Sequence, residues 1–339
     1  MSVTLRPAMP SPPTTPTRPR RTLAWAMAGL AFVLGAVLSA CLVGTATESL
    51  VARGDRERYP APGRVVDTPH GSLHLHCTGR GAPTVLLEAG LGEPGLSWVE
   101  IQRELDRSVT VCSYDRAGYG WSPAAEGNWD AHGAAVQVTQ ALDATDHGGP
   151  YLVVAHSLGA LVARELRQAK PEAVVGMVLL DPTNEVVLQR VGTPALAITE
   201  RTAMLALARS GAVRLFGDRL IPSLVGSQPP RDLLSQAPAA YHSRAVVASL
   251  RELRGAPGAA RQLLMREHTD WADLPVTVVS AANAPQQDRE HHRAIAARSA
   301  RGQHLVAGSG GHYVHYDNPD LVVAAVCDVL VKSAAPATC

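Results

Sequence analysis

Apolar and polar positions follow a strand–helix rhythm in this chain, and they do so only beyond about residue 62. Ser72–Cys77 alternates with period two, which puts His74 and His76 on one strand face. Thr84–Glu88 and Val109–Tyr114 are largely apolar runs, as expected of strands in a sheet covered on both faces. Between them Leu96–Leu105 has helical spacing. Farther on, Trp129–Thr145 reads as a helix, Tyr151–Val154 as a strand, and the pattern to Arg167 as a helix. Val174–Leu180 and Val276–Ser280 read as buried strands, Asp288–Arg298 as a helix, His304–Ala307 as the last strand and Pro319–Val331 as the last helix. This alternation predicts an α/β fold with a doubly wound, mostly parallel sheet. Asp181 to Pro275 breaks the rhythm: it is rich in Ala, Leu and Arg, with helical spacing and no clear strand. A structureless loop of about 90 residues is unfavourable. Residues 182–274 are therefore expected to form an inserted helical cap, dividing the core into 63–181 and 275–339.

The N-terminal part is of another kind. Residues 1–22, rich in Pro, Thr and Arg, cannot build a packed core and are expected to be disordered. Leu23–Gly44 runs for 22 residues without a charge, long enough to cross a bilayer as a helix. The expected span is 23–45, with a polar linker over 46–62. Arg18, Arg20 and Arg21 precede the span, whereas Glu48, Arg53, Asp55 and Arg56 beyond it are mixed in sign. That asymmetry puts the N-terminus in the cytoplasm and the rest of the chain outside it, held to the cell membrane by this helix. Two other fates fit the same residues. A cleaved signal peptide would leave a secreted protein, and Leu38-Ser39-Ala40-Cys41 resembles a lipoprotein cleavage box that would leave Cys41 lipidated.

Thirty-one basic against 30 acidic residues give a net charge of +1, which points away from nucleic acid as a partner. No internal repeat occurs, and no obligate protein partner is evident. The chemistry concentrates at Ala155-His156-Ser157-Leu158-Gly159, between a strand and a helix. Small residues two before and two after Ser157 suit a sharp turn that lifts the hydroxyl out of the sheet. Ala155 stands where G-x-S-x-G has its first glycine. The bland alternative makes Ser157 only the cap of the helix that follows.

Further motifs lie in order around it: Leu87-Glu88-Ala89-Gly90-Leu91-Gly92, then Tyr114-Asp115-Arg116-Ala117-Gly118-Tyr119-Gly120-Trp121-Ser122, and near the C-terminus Gly311-His312-Tyr313-Val314-His315. In these the chain resembles α/β-hydrolase fold proteins, from about residue 62 to its end. The resemblance implies a nucleophile at Ser157 and a base at His312, with His315 a nearby competitor. It implies an acid at one of two strand ends, Asp181 or the alternative Asp288. Backbone N–H groups of Leu91 and Leu158 would form the oxyanion hole, although Ala89-Gly90 stands where the family often has His-Gly. His156 would order the elbow, and Asp115 and Arg116 would brace their loop. Epoxide hydrolases and haloalkane dehalogenases of this fold attack with an aspartate, so Ser157 argues against both.

The expected function is a membrane-anchored serine hydrolase that cleaves a small-molecule carboxylic ester through an acyl-enzyme. A peptidase, lactonase or C–C hydrolase of the same fold, or a non-catalytic binding protein, are the alternatives. No cofactor and no metal are assigned: His74 and His76 lack further ligands, and the adjacent His291 and His292 point to different helix faces. Besides Cys41, four cysteines allow three pairings. The family's sheet, with its second and fourth strands neighbours, implies Cys77–Cys112 and with it Cys327–Cys339.

Overall fold

A computed structural model describes residues 19–267 and 271–333. Most of the segment expected to be disordered, and Cys339 with its expected pairing, lie outside that range. Among the described residues, eight strands form one sheet: β1 (Arg64–Val66), β2 (Leu73–Thr78), β3 (Thr84–Glu88), β4 (Val111–Asp115), β5 (Tyr151–His156), β6 (Val174–Leu180), β7 (Val276–Ser280) and β8 (Gly302–Val306). Their order is β1-β2-β4-β3-β5-β6-β7-β8. β2 runs antiparallel to β1 and β4, and every other pair is parallel. Cys77 stands opposite Cys112 in the β2–β4 register, and their sulfurs are 2.06 Å apart.

The helices are α1 (Pro19–Val51), α2 (Asp55–Arg58), α3 (Val99–Leu105), α4 (Ala131–Asp143), α5 (Gly159–Ala169), α6 (Glu185–Val191), α7 (Ala195–Arg209), α8 (Ala212–Val225), α9 (Arg231–Ser235), α10 (Ala237–Ala240), α11 (Ser243–Arg266), α12 (Gln286–Ala296), α13 (Val314–Asp317) and α14 (Pro319–Lys332). Successive strand residues point to opposite faces, and the central strands β3, β4, β5 and β7 are buried on both. Leu86, Val153 and Leu179 pack with α4 and α5 on one side. Val85, Val154 and Val178 pack with α3 and α14 on the other. This two-sided cover is why the central strands read as unbroken apolar runs.

The strandless interval is filled by α6 to α11. Buried ion pairs tie this insertion to the core. Arg116, just after β4, donates to Glu88 of β3 and to Glu252 of α11, each at 2.6 Å. Arg164 of α5, fully buried, pairs with Glu185 of α6 at 2.8 Å and with Glu267 at the end of α11. Such charges are costly to bury and are held only because each is paired.

The N-terminal helix departs from expectation. It continues past residue 45 to Val51, and helical turns follow to Arg58, so most of the expected linker is helical. Arg214 of α8 supplies a physical reason, because its guanidinium bonds both Glu48 and Asp55. Among the described residues, one helical stretch, Leu23–Arg58, is long and apolar enough to cross a membrane.

Candidate active site

The turn after β5 is sharp enough to put Ser157 at φ +51°, a left-handed conformation that costs a non-glycine residue energy. It is also crowded: a Cβ on Gly159 would lie 2.6 Å from the Ala89 carbonyl. A side chain there would separate β5 from the loop after β3. Ala155, fully buried, fits at the other small position. Ser157 does not cap α5, whose N-cap is Leu158 with no side-chain cap bond. Its backbone is fixed by its own N–H on Leu180 O at 3.0 Å and by Thr183 N–H on its carbonyl at 3.1 Å.

That leaves the hydroxyl for His312. Ser157 Oγ lies 2.8 Å from His312 Nε2, and His312 Nδ1 lies 2.6 Å from Asp181 Oδ2. A carboxylate only accepts, so Asp181 assigns the proton to Nδ1, and Nε2 then accepts from the serine hydroxyl. The other carboxylate oxygen accepts from Ala281 N–H at 2.9 Å. Burial pushes the Asp181 carboxyl up, but the bonds from His312 and Ala281 outweigh it and hold the group below the usual carboxylate range. Three strand ends supply these residues: Ser157 follows β5, Asp181 follows β6 and His312 follows β8, all at the C-terminal edge of the parallel strands, where open α/β sheets hold ligands.

Asp288 takes another place. It sits in the first turn of α12 and accepts from the Asn184 side chain at 3.1 Å. It faces the same cleft as His312 and Asp181, but only Asp181 is bonded to the imidazole.

Behind the serine lies a buried cluster that inspection of sequence neighbours missed. His156 Nε2 is 2.9 Å from the His312 carbonyl, and its Nδ1 is 2.8 Å from Glu93 Oε1. A carbonyl only accepts, so Nε2 carries a proton and donates to it, while Nδ1 faces the Glu93 carboxylate at ion-pair distance. Burial pulls the His156 imidazole down, yet Glu93 beside it more than compensates and raises it. Burial pushes Glu93 up, but His156 and His315 bring its carboxyl well below the usual range. Glu93 also accepts from Gly90 N–H at 3.2 Å, and Arg116 donates to the Ala89 and Gly90 carbonyls at 2.6 and 2.7 Å. The Ala89-Gly90 loop is thus held from both sides without the family's common histidine. Asp115 braces its own loop, accepting from Gly95 N–H at 2.8 Å and Trp121 N–H at 3.0 Å.

His315 belongs to this cluster rather than to the serine. It stacks on Trp98 with ring centroids 4.5 Å apart, and its Nε2 is 3.5 Å from Glu93 Oε2. Side-chain nitrogen and oxygen atoms of Glu93, His156 and His315 lie within 4.8 Å of one another, a convergence of a loop, the end of β5 and the short helix α13 that no spacing announces. In sequence its one signal is Glu93 itself, an acid inside an apolar, glycine-rich strand-end loop.

Burial lowers the His315 imidazole to about 4 from its ordinary 6.5. A histidine kept neutral in the fold takes up its proton on unfolding once the pH drops below 6.5. Stability from this group is therefore complete above 6.5 and is lost as pH falls toward about 4, by about 3 kcal/mol in all. His315→Gln is expected to remove that part of the acid slope in denaturant midpoints measured from pH 7 to 4. An unchanged slope would show that His315 is not the group responsible.

Next to the site, a cavity of about 390 Å³ lies between the loop after β3 and the helical insertion, lined by Leu91, Gly92, Arg201, Met204, Leu224 and Tyr313 among others. Among the described residues, the Leu91 and Leu158 N–H groups donate to no backbone carbonyl.

Residues 73–325 match the family model described as "Alpha/beta hydrolase family". The chain is 24% identical over 260 residues to the uncharacterised protein YqjL of Bacillus subtilis (strain 168), covering 75% of this chain and 86% of that protein. A segment of 112 residues is 37% identical to the lipase LipV of Mycobacterium tuberculosis (strain ATCC 25618 / H37Rv), covering 32% of this chain and 41% of LipV. Among solved structures, a thermophilic esterase from Thermogutta terrifontis superposes with a TM-score of 0.60 at 18% identity, over 80% of this chain and 98% of that one. That last likeness speaks to the fold alone. With the family match spanning the eight-stranded sheet from β2 into α14, the chain belongs to the alpha/beta hydrolase family.

Proposed function

We propose that this hydrolase is a serine esterase that works outside the cytoplasm, held to the membrane by α1 with its N-terminus inside. Ser157 is the nucleophile, His312 the base and Asp181 the group that orients and charges the imidazole. Ser157 Oγ attacks the ester carbonyl while His312 Nε2 takes its proton. The Leu91 and Leu158 N–H groups hold the oxyanion. The C–O bond to the alcohol then breaks as His312 returns the proton to it. Water repeats the sequence on the acyl-enzyme and releases the acid. Residues 182–274 act as a cap that shapes the substrate cavity.

The observation that carries this reading is the hydrogen-bonded line Asp181–His312–Ser157, with bonds of 2.6 and 2.8 Å, ending on a serine in a strained elbow. An aspartate nucleophile would need a carboxylate where Ser157 stands. Matching residues in a protein named a lipase add support for an ester substrate. A fluorophosphonate probe tests the nucleophile: labelling of wild type and none of Ser157→Ala is the expected result. Equal labelling of both would overturn the assignment. Rates on p-nitrophenyl esters of increasing chain length then define the acyl group.

A further inference from the structure

The anchor and the insertion are joined, and the joint sets the depth of one helix relative to the membrane. Leu23–Gly44, 22 residues without a charge, spans about 33 Å as a helix, close to the ~30 Å hydrocarbon core. Where that run ends, Gly44 abuts the carbonyl of Ser210, at the turn between α7 and α8, so closely that a Cβ on Gly44 would collide with it. One turn farther, Glu48 accepts from Arg214 Nε and Nη2 at 2.8 Å each, and Asp55 accepts from Nη1 and Nη2 at 2.8 and 2.6 Å. One guanidinium held by two carboxylates fixes the start of α8. Glu48 is four residues, about 6 Å, beyond the apolar run, which is the depth of the head-group layer.

From Arg214 onward α8 exposes apolar side chains. Leu215 is 71% exposed, Phe216 51% and Leu224 54%. Phe216, Leu220 and Leu224 are spaced by four, so they form one stripe along the helix. A soluble surface gains nothing from such a stripe, whereas the membrane interface rewards it. Its far end is also the wall of the substrate cavity, since Leu224 lines the space of about 390 Å³ whose opposite side is Leu91, Gly92 and Tyr313, the neighbour of His312. The stripe therefore connects the head-group layer to a cavity that reaches the loop after β3 and Tyr313, beside His312.

We propose that the α8 stripe rests in the outer head-group layer of the membrane crossed by α1 and passes a membrane-resident long-chain ester, chain first, into this cavity. The inference rests on Ser157 as nucleophile and on α1 as a retained anchor, and it names the bilayer as the source of the substrate.

Two measurements test it on full-length protein reconstituted in phosphatidylcholine vesicles, with the mass of the chain reporting that α1 is retained. In a Cys41→Ser background, a fluorophore on Phe216→Cys is expected to be quenched by brominated lipid, and one on Glu172→Cys, exposed at the opposite edge of the sheet, is not. Equal quenching, or none at 216, overturns the proposal whatever the catalytic residues are. In the second arm, Leu215→Ser/Phe216→Ser is expected to lower turnover of bilayer-dissolved p-nitrophenyl palmitate about tenfold, while water-soluble p-nitrophenyl butyrate stays unchanged. Equal loss on both esters, or loss on neither, also overturns it. Wild type that cleaves neither ester would instead defeat the esterase reading, with the quenching result still deciding where α8 lies.

Discussion

Ser157→Ala is expected to lower kcat on a carboxylic ester by about 10⁶-fold, the scale seen when the nucleophile of such a unit is removed. The variant should keep its fold, because the elbow is held by backbone bonds from Ser157 N–H to Leu180 O and from Thr183 N–H to Ser157 O, which alanine retains. What disappears is the atom proposed to form the acyl bond. Catalysis left over the uncatalysed rate would come from the oxyanion donors and binding, about 10³–10⁴-fold. Steady-state kinetics beside thermal melts check both halves. A drop of less than tenfold in a folded variant would show that another group attacks the substrate.

Asp181→Asn is expected to cost about 10⁴-fold in kcat at neutral pH, the magnitude of a wrong imidazole tautomer. The local geometry makes the direction unambiguous. Ala281 N–H donates to Asp181 Oδ1 at 2.9 Å, so an asparagine must turn its amide oxygen toward Ala281 and its NH₂ toward His312. The imidazole would then accept at Nδ1 and carry its proton on Nε2, leaving nothing to receive the serine proton. Asp288→Asn should change kcat by no more than about twofold, since only a surface-type bond to Asn184 is altered. Comparable losses in the two variants would reopen the choice of acid.

Much of this was legible in the residues themselves. β3 and β7 begin and end where their largely apolar runs do, because both are buried along their whole length. The elbow was legible through its small residues, and His312, the proposed base, stood out through its glycine-flanked loop. The proposed acid was not: Asp181 directly follows β6 and Asp288 lies in the first turn of α12, after β7, and only the tertiary packing brings Asp181 to the imidazole. β1, three residues long, carried no periodic signal.

By itself, then, the sequence determined the alternating α/β core, the anchor-length apolar run, the helical insertion and the Ser157 elbow, because each depends on residues close together along the chain. Tertiary structure alone decided the rest. It bonded His312 to Asp181 across 131 positions, gathered Glu93, His156 and His315 behind the serine, and clamped Arg214 to Glu48 and Asp55. Those contacts join side chains far apart in the chain, and the distance between such groups is a property of the packed sheet and its helices, which no local pattern encodes.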